Sequence, residues 1–233
     1  IYNDNDYYNT EAMSSIIKEN NIIFYGENYD KINDKFRLNL LLDNIRSIDK
    51  TDQIFLGLEM VNSDKQVILD KFNQHKINSD KLMELLDWNN NWSYQPEGYE
   101  LVFNYARKNN IDLLAINEDI SYNNIINFIN NEKSKSKLVF NQAHFNNFIK
   151  NSMKYERSKN IDIINQNYQI NILKEINMAT NINNNLKKYP DSKLIAYTSV
   201  FHSNKNGIRS ILDTLFYDSK YNCIVLTPVR NLS

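Results

Sequence analysis

Five short apolar runs along this chain do not alternate between polar and apolar residues, as a strand with one solvent-exposed face would. Val, Ile, Leu, Phe and Tyr dominate these runs, which cover residues 22–26, 54–60, 111–117, 193–199 and 222–227. Such runs predict strands that are buried on both faces, as in a parallel sheet.

Helical patterns separate the apolar runs. Apolar residues recur at helical spacing from Phe36 to Ile48, and Pro96 opens a second helical pattern that extends from Glu97 to Lys108. Alternating strands and helices predict an α/β fold, with a parallel-dominated sheet flanked by helices and right-handed crossovers. A length of 233 residues allows one large domain, and we expect a single α/β domain over residues 1–233.

The connection between the third and fourth predicted strands is too long for one crossover helix. Residues 121–190 are therefore predicted to form a helical insertion or lid before the fourth strand. Within this segment, an apolar stripe spaced by three and four runs from Ile161 to Leu186 and predicts a long amphipathic helix that ends at Tyr189-Pro190.

Charge and hydropathy argue against two classes of partner. The formal net charge of −1 provides no basic face for nucleic acid. No apolar run approaches the ~20 residues that span a bilayer, so we expect no transmembrane segment in this chain. The single cysteine, Cys223, excludes an internal disulfide and a metal site built from several cysteines.

Polar side chains lie at the ends of four predicted strands. Glu27, Glu59 and Asn117 close the first three strands, and His202 follows the fourth. Ligands of open α/β sheets bind beyond the carboxyl ends of the strands, so we expect these four residues to line one crevice. A Glu within an apolar strand is costly to bury unless it is paired, although Glu27 could also cap the next helix and His202 could be structural.

An ordered set of short motifs accompanies these residues. It consists of Gly26-Glu27-Asn28-Tyr29-Asp30, Leu58-Glu59-Met60 with Gln66 to Asp70, Trp88 to Trp92, Tyr99 to Ala106, Leu114 to Asn117, Tyr168-Gln169 with Met178-Ala179, and Phe201-His202 with Gly207-Ile208. In this order, from about Ile22 to Leu215, the set resembles the ChaN-type haem-binding uptake family of the wider Tiki and erythromycin-esterase superfamily.

The resemblance includes departures at the first strand. Tyr29 stands where the family has the His of its first turn, and residues 31–36 contain no His. Relatives that hydrolyse bonds rely on those histidines for metal binding or acid–base work, so the resemblance favours ligand binding over hydrolysis.

The resemblance implies that the ligand is haem, with a tyrosine bound to ferric iron. A phenolate is a hard anionic donor that suits ferric iron, as in catalase. Within the chain, Tyr29 lies at the predicted crevice, and Tyr155 and Tyr168 lie in the insertion near His144; these four are the haem-binding candidates. The resemblance also implies a place at the bacterial cell envelope, with any lipid anchor outside this sequence, and a homodimer that forms on haem binding.

Two alternatives stay open from the sequence. One is a metal-dependent hydrolase that uses Glu27, Glu59 and His202, although two carboxylates and one His would hold a metal ion weakly. The other is a catalytically dead or partner-binding domain of the same fold, such as a toxin module.

Overall fold

A computed structural model describes most of the chain. The described residues are 2–3, 6–7, 10–28, 31–48, 51, 53–92, 94–119, 145–146, 148–149, 161–216, 218 and 221–228.

The described strands and helices follow the alternating order that the sequence predicts. The strands are β1 (Tyr2–Asn3), β2 (Asp6–Tyr7), β3 (Ile22–Glu27), β4 (Ile54–Asn62), β5 (Ile111–Asn117), β6 (Lys193–Ser199) and β7 (Cys223–Leu226). The helices are α1 (Thr10–Glu19), α2 (Ile32–Ile48), α3 (Gln66–Asn73), α4 (Ser79–Leu85), α5 (Trp88–Asn91), α6 (Pro96–Lys108), α7 (Ile161–Lys188), α8 (Val200–Ser203) and α9 (Ile208–Leu215).

Strands β3 to β7 form one parallel sheet in the order β5-β4-β6-β3-β7. The predicted α/β class and parallel sheet are therefore confirmed. The three interior strands, β4, β6 and β3, are almost entirely buried, which explains why their sequences do not alternate. The antiparallel pair β1–β2 was not predicted, because strands of two residues carry no periodic pattern.

Helices cover both faces of the sheet and divide the core into two apolar layers. Along β3, Ile23 and Tyr25 point into a layer shared with α1–α6, whereas Ile22 and Phe24 point into a layer shared with α7 and α9. Each layer buries a continuous set of apolar side chains, and burial of that kind is the main favourable contribution to folding.

Helix α7 supplies the described part of the predicted insertion. It begins at Ile161 and ends at Lys188, and residues 145–146 and 148–149 are also helical. Ala179 and Ile182 of its apolar stripe, and the neighbouring Met178, are fully buried against the sheet. The rest of the predicted insertion before Ile161 lies outside the described residues. In the described part of the chain, no helix has both the length and the apolar character needed to cross a membrane.

Candidate functional site

Glu27 lies at the end of β3 and is almost completely buried, with 1% of its surface exposed. Its Oε2 is 2.8 Å from Nζ of Lys35 on α2 and accepts a hydrogen bond of 2.5 Å from the hydroxyl of Tyr197. Its Oε1 accepts a 3.0 Å bond from the hydroxyl of Tyr99 on α6. Burial raises the pKa of the Glu27 carboxyl, while Lys35 and the two phenols oppose that rise.

The turn after β3 is held by the start of α2. Asp34 accepts hydrogen bonds from the backbone N–H of Asn28 at 3.0 Å and from its side-chain amide at 3.3 Å. The hydroxyl of Tyr25 donates to the backbone carbonyl of Asp34 at 2.7 Å. These bonds and the Glu27–Lys35 pair join the end of β3 to α2, on the layer that contains α1–α6.

Glu59 lies near the end of β4 and contacts the neighbouring strand β6. Its Oε2 accepts a 2.6 Å bond from the backbone N–H of Ser199, the last residue of β6. The hydroxyl of Ser199 in turn accepts the backbone N–H of His202 at 3.3 Å and caps the short helix α8. Glu59 therefore holds the point where β6 passes into α8.

His202 is buried between two carboxylates. Its Nδ1 is 2.9 Å from Oε1 of Glu175 on α7, and its Nε2 is 3.7 Å from Oε1 of Glu59. Burial alone would lower the pKa of His202, but the charge of Glu59 and the hydrogen bond and charge of Glu175 outweigh burial and raise it. The two carboxylates thus stabilise the imidazolium form of His202 relative to a free histidine.

The predicted group of four residues is divided by the sheet. Glu59 and His202 meet on the layer that contains α7, whereas the partners of Glu27 come from α2, α6 and β6 on the opposite layer. Glu27 thus lies on the opposite side of the sheet from the Glu59–His202 pair. The hydrolase alternative would require all three side chains on the same side. Asn117 ends β5, and its amide oxygen accepts the backbone N–H of Glu118 at 3.0 Å.

Aromatic rings extend from His202 toward the N-terminal half of α7. Phe201 lies 5.1 Å from His202 and 5.8 Å from Phe148, measured between ring centroids. Phe148 and Phe145 lie 5.3 Å and 4.8 Å from the ring of Tyr168. We call Phe145, Phe148, Tyr168 and Phe201 the Tyr168 cluster. These four rings also pack against Ile149 and Ile172.

Tyr168 is the haem-binding candidate that the structure describes. Its surface is 7% exposed. Burial, followed by the charge of Glu175, raises the pKa of its phenol to about 12. Tyr29, His144 and Tyr155, the other candidates, lie outside the described residues.

Glu175 is the site residue whose role the sequence analysis missed. It occupies a position three residues after Ile172 and four before Ala179, so it interrupts the apolar stripe on the buried face of α7. A carboxylate at a core position of an amphipathic helix requires a buried partner, and that requirement was the available signal. Glu175 and Glu59 lie beside different nitrogens of the His202 ring. Among the described residues, no group of three or more His, Cys, Asp or Glu side chains is arranged to hold a metal ion.

Comparison with known proteins identifies the family. The family model for haem-binding uptake proteins of the Tiki superfamily, ChaN, matches residues 13–212. The chain belongs to this family. The predicted family membership is confirmed. The ChaN family is described as haem-binding, so haem is the ligand that this membership supports.

Two solved structures share the fold of this ChaN-family chain. ChaN of Campylobacter jejuni, which binds haem cofacially, is 20% identical with a TM-score of 0.69, over 96% of this chain and 87% of that chain. The type III effector HopBA1 is 10% identical with a TM-score of 0.51, over 83% of this chain and 70% of that chain. No curated protein matches the sequence.

Proposed function

We propose that this protein binds ferric haem as a haem-uptake protein, with a tyrosine phenolate as the iron ligand. Tyr168 is our candidate among the described residues. The observation that carries this proposal is the Tyr168 cluster, in which one phenol lies among apolar rings next to the carboxyl end of β6. Membership of the ChaN family and the likeness to a haem-binding ChaN support the choice of ligand.

The Tyr168 cluster suits a flat, largely apolar ligand. Ligand pockets are lined mainly by apolar and aromatic side chains, with few polar groups that fix orientation. Phe145, Phe148 and Phe201 supply such a wall, and Tyr168 supplies one hard oxygen donor. Because Tyr168 is buried by Phe145 and Phe148, these two rings must shift to let its hydroxyl reach iron.

Proton release should accompany haem binding through Tyr168. With a phenol pKa of about 12, the side chain is protonated at neutral pH and must lose its proton to bind iron as a phenolate. Haem affinity should therefore rise with pH by about tenfold per pH unit below that pKa.

The remaining features of the function are proposals of the same kind. Tyr29, His144 and Tyr155 are kept as haem-binding candidates, and Glu59, Asn117 and His202 as residues near the ligand pocket. Glu27, the fourth predicted pocket residue, is bonded to Lys35, Tyr99 and Tyr197 in the layer opposite to the Tyr168 cluster. We also propose a place at the bacterial cell envelope and dimerisation on haem binding.

Spectroscopic titration with haemin tests the proposal. The wild-type protein should bind one haem per chain with the spectrum of a high-spin, phenolate-bound ferric iron. Because loss of even an outer partner of a metal site costs about 10–100-fold in affinity, Tyr168→Phe should weaken binding at least about tenfold and abolish that spectrum. Tyr105→Phe, on α6 across the sheet, is the matched control and should bind as the wild type does.

Two results would contradict the proposal at different levels. If the wild type shows no haem band with haemin well above micromolar, haem binding is wrong and the partner-binding alternative is favoured. If Tyr168→Phe retains the phenolate spectrum, Tyr168 is not the ligand, and Tyr29→Phe and Tyr155→Phe become the variants that decide it.

A further inference from the structure

A cavity lies at the carboxyl end of β4, on the side of the sheet that packs against α1–α6. Its volume is about 350 Å³, which falls within the range of pockets that hold small ligands. Trp88 of α5 and Trp92 just after it line the cavity together with Met60 of β4, and all three belong to or pack against the α1–α6 layer. We call this space the Trp88–Trp92 cavity.

The two indole rings are held in place by their own hydrogen bonds. The Nε1–H of Trp88 donates to the backbone carbonyl of Tyr94 at 3.0 Å. The Nε1–H of Trp92 donates to the backbone carbonyl of Met60 at 2.9 Å. The two rings stack with their centroids 6.1 Å apart, and Trp88 also lies 4.7 Å from the ring of Tyr99. Because each indole N–H has an acceptor within the protein, the two rings offer a ligand a rigid apolar wall.

Polar side chains from the ends of β4 and β5 form the rim of the cavity. Asn62 ends β4, and within the described part of the chain its side chain does not cap the 3₁₀ turn that follows (Ser63–Lys65). Asp64 and Lys65 lie in that turn with their charged atoms 3.6 Å apart, and their side chains are 64% and 44% exposed. Asp119, which is also exposed, lies just after β5. The cavity therefore has an aromatic wall and a polar rim at its solvent side.

The charges of this rim favour a neutral ligand. Asp64 and Lys65 offset one another, and Asp119 adds a second carboxylate. The two carboxylates oppose an anion, and the ammonium of Lys65 opposes a cation. Together with the amide of Asn62, these groups supply both kinds of hydrogen-bonding atom, because ammonium and amide N–H groups donate whereas carboxylate and amide oxygens accept. Such a rim suits a neutral molecule that carries several hydroxyl groups.

We propose that the Trp88–Trp92 cavity binds a saccharide through a pyranose ring. One face of a pyranose is a flat set of C–H groups, which packs well on the negative face of an aromatic ring. The half-buried indole of Trp92 meets that face, and Asn62, Lys65 and Asp119 meet the hydroxyls at its edge. The cavity and the Tyr168 cluster lie in opposite layers, so saccharide binding here does not depend on haem.

Tryptophan fluorescence of the haem-free protein tests this site, because Trp88 and Trp92 are the only tryptophans of the chain. The probes are glucose, galactose, mannose and N-acetylglucosamine. At least one of them should shift the emission to shorter wavelength, saturably at about millimolar concentration, since the ring displaces water from the indole wall. Sorbitol and choline are the comparison ligands. Sorbitol has hydroxyls without a ring face, and choline is a cation, so neither should shift the emission.

Variants of the rim test which side chains hold the ligand. Asp119→Ala removes a carboxylate acceptor at an exposed position and should weaken the best saccharide by about tenfold or more, as loss of a hydrogen bond to a charged group usually does. Asn62→Ala should also weaken it. Asp213→Ala is the matched control, because Asp213 is an exposed carboxylate on α9, in the opposite layer, and it should bind as the wild type does.

Four results would overturn the saccharide proposal. They are no emission shift with any of the four sugars, a shift with choline but with no sugar, a shift with sorbitol equal to that with the sugars, and unchanged affinity in both Asp119→Ala and Asn62→Ala. Circular dichroism of each variant should match that of the wild type, so that a change in affinity is assigned to the rim and not to unfolding.

Discussion

Glu27 illustrates how a buried charge is kept in the core by three partners. Lys35, Tyr99 and Tyr197 all contact its carboxylate, and the Nζ of Lys35 also lies over the ring of Tyr99. A buried ion pair adds little net stability compared with apolar residues, yet loss of one member leaves an uncompensated charge. These four side chains therefore act as one unit that joins β3, β6, α2 and α6.

Lys35→Met should destabilise the protein strongly at neutral pH. Removing one partner of a buried pair costs about 3–5 kcal/mol, and the comparison is the free energy of unfolding in urea at pH 8. Lys71→Met, at an exposed position on α3, is the control and should change that free energy by less than about 0.5 kcal/mol.

The cost of Lys35→Met should also depend on pH. The pKa of Glu27 is raised in the folded protein, so its contribution to stability is present below about 4.5 and is lost as pH rises through the folded pKa. Lys35 opposes this loss of stability because its charge lowers the pKa of Glu27. Removing Lys35 should therefore raise the pKa of Glu27 further. Lys35→Met should therefore reduce the free energy of unfolding less at pH 4.5 than at pH 8. An equal reduction at both pH values would show that the Glu27 carboxylate does not depend on the charge of Lys35.

The junction of β3, β6 and α8 positions His202. An added Cβ at Gly26 would overlap the Ser203 hydroxyl and lie 2.9 Å from the backbone Cα of Val200. Helix α8 packs directly on the ends of β3 and β6, and its residue His202 reaches Glu59 and Glu175 from there. Glycine at position 26 is thus required for the close approach of this helix.

Gly26→Ala should cost about 1–3 kcal/mol of unfolding free energy, because a backbone atom must move to accommodate the methyl group. Gly57→Ala is the paired comparison: its added Cβ would meet the side-chain Cγ2 of Ile116 at 2.9 Å. A side-chain methyl can shift more readily than backbone, so Gly57→Ala should cost less in the same urea titration. Equal or reversed costs would contradict the packing role of Gly26.

The sheet separates helices α2 and α6 from the Tyr168 cluster in the molecule as a whole. Helices α2 and α6 pack in one apolar layer, and the Tyr168 cluster belongs to α7, which packs in the opposite layer. Changes on the outer surface of α2 should therefore leave the haem-binding candidate Tyr168 unaffected.

A variant on the α2 side of the sheet should leave haem binding unchanged. Mutations at distant sites that share no partner are usually independent to within about 0.5 kcal/mol, which is about twofold in an equilibrium constant. Phe36 is exposed on α2, so Phe36→Asp should bind haemin within about twofold of the wild type. Loss of haem binding in Phe36→Asp, with its fold intact by circular dichroism, would show that the two sides of the sheet are coupled.

Sequence alone determined the class of fold, the five main strands and the long helix α7. A strand that is buried on both faces is visible in the local sequence as a continuous apolar run. An amphipathic helix is visible in the same way as an apolar stripe spaced by three and four, because each pattern lies within one element. The predicted strand 54–60 extends to Asn62, and the predicted helix after Pro96 ends at Lys108 as expected. The family motifs were also readable, because they are ordered along the chain.

Only the tertiary structure decided which polar residues meet. Glu27 and Glu59 both close buried strands, yet one is bonded to α2 and α6 and the other to His202, since the layer a side chain enters depends on the packing of helices distant in sequence. The pairing of His202 with Glu175 likewise requires α7 to cross beside the end of β6. Such contacts join residues far apart in the chain, and no local periodicity records them.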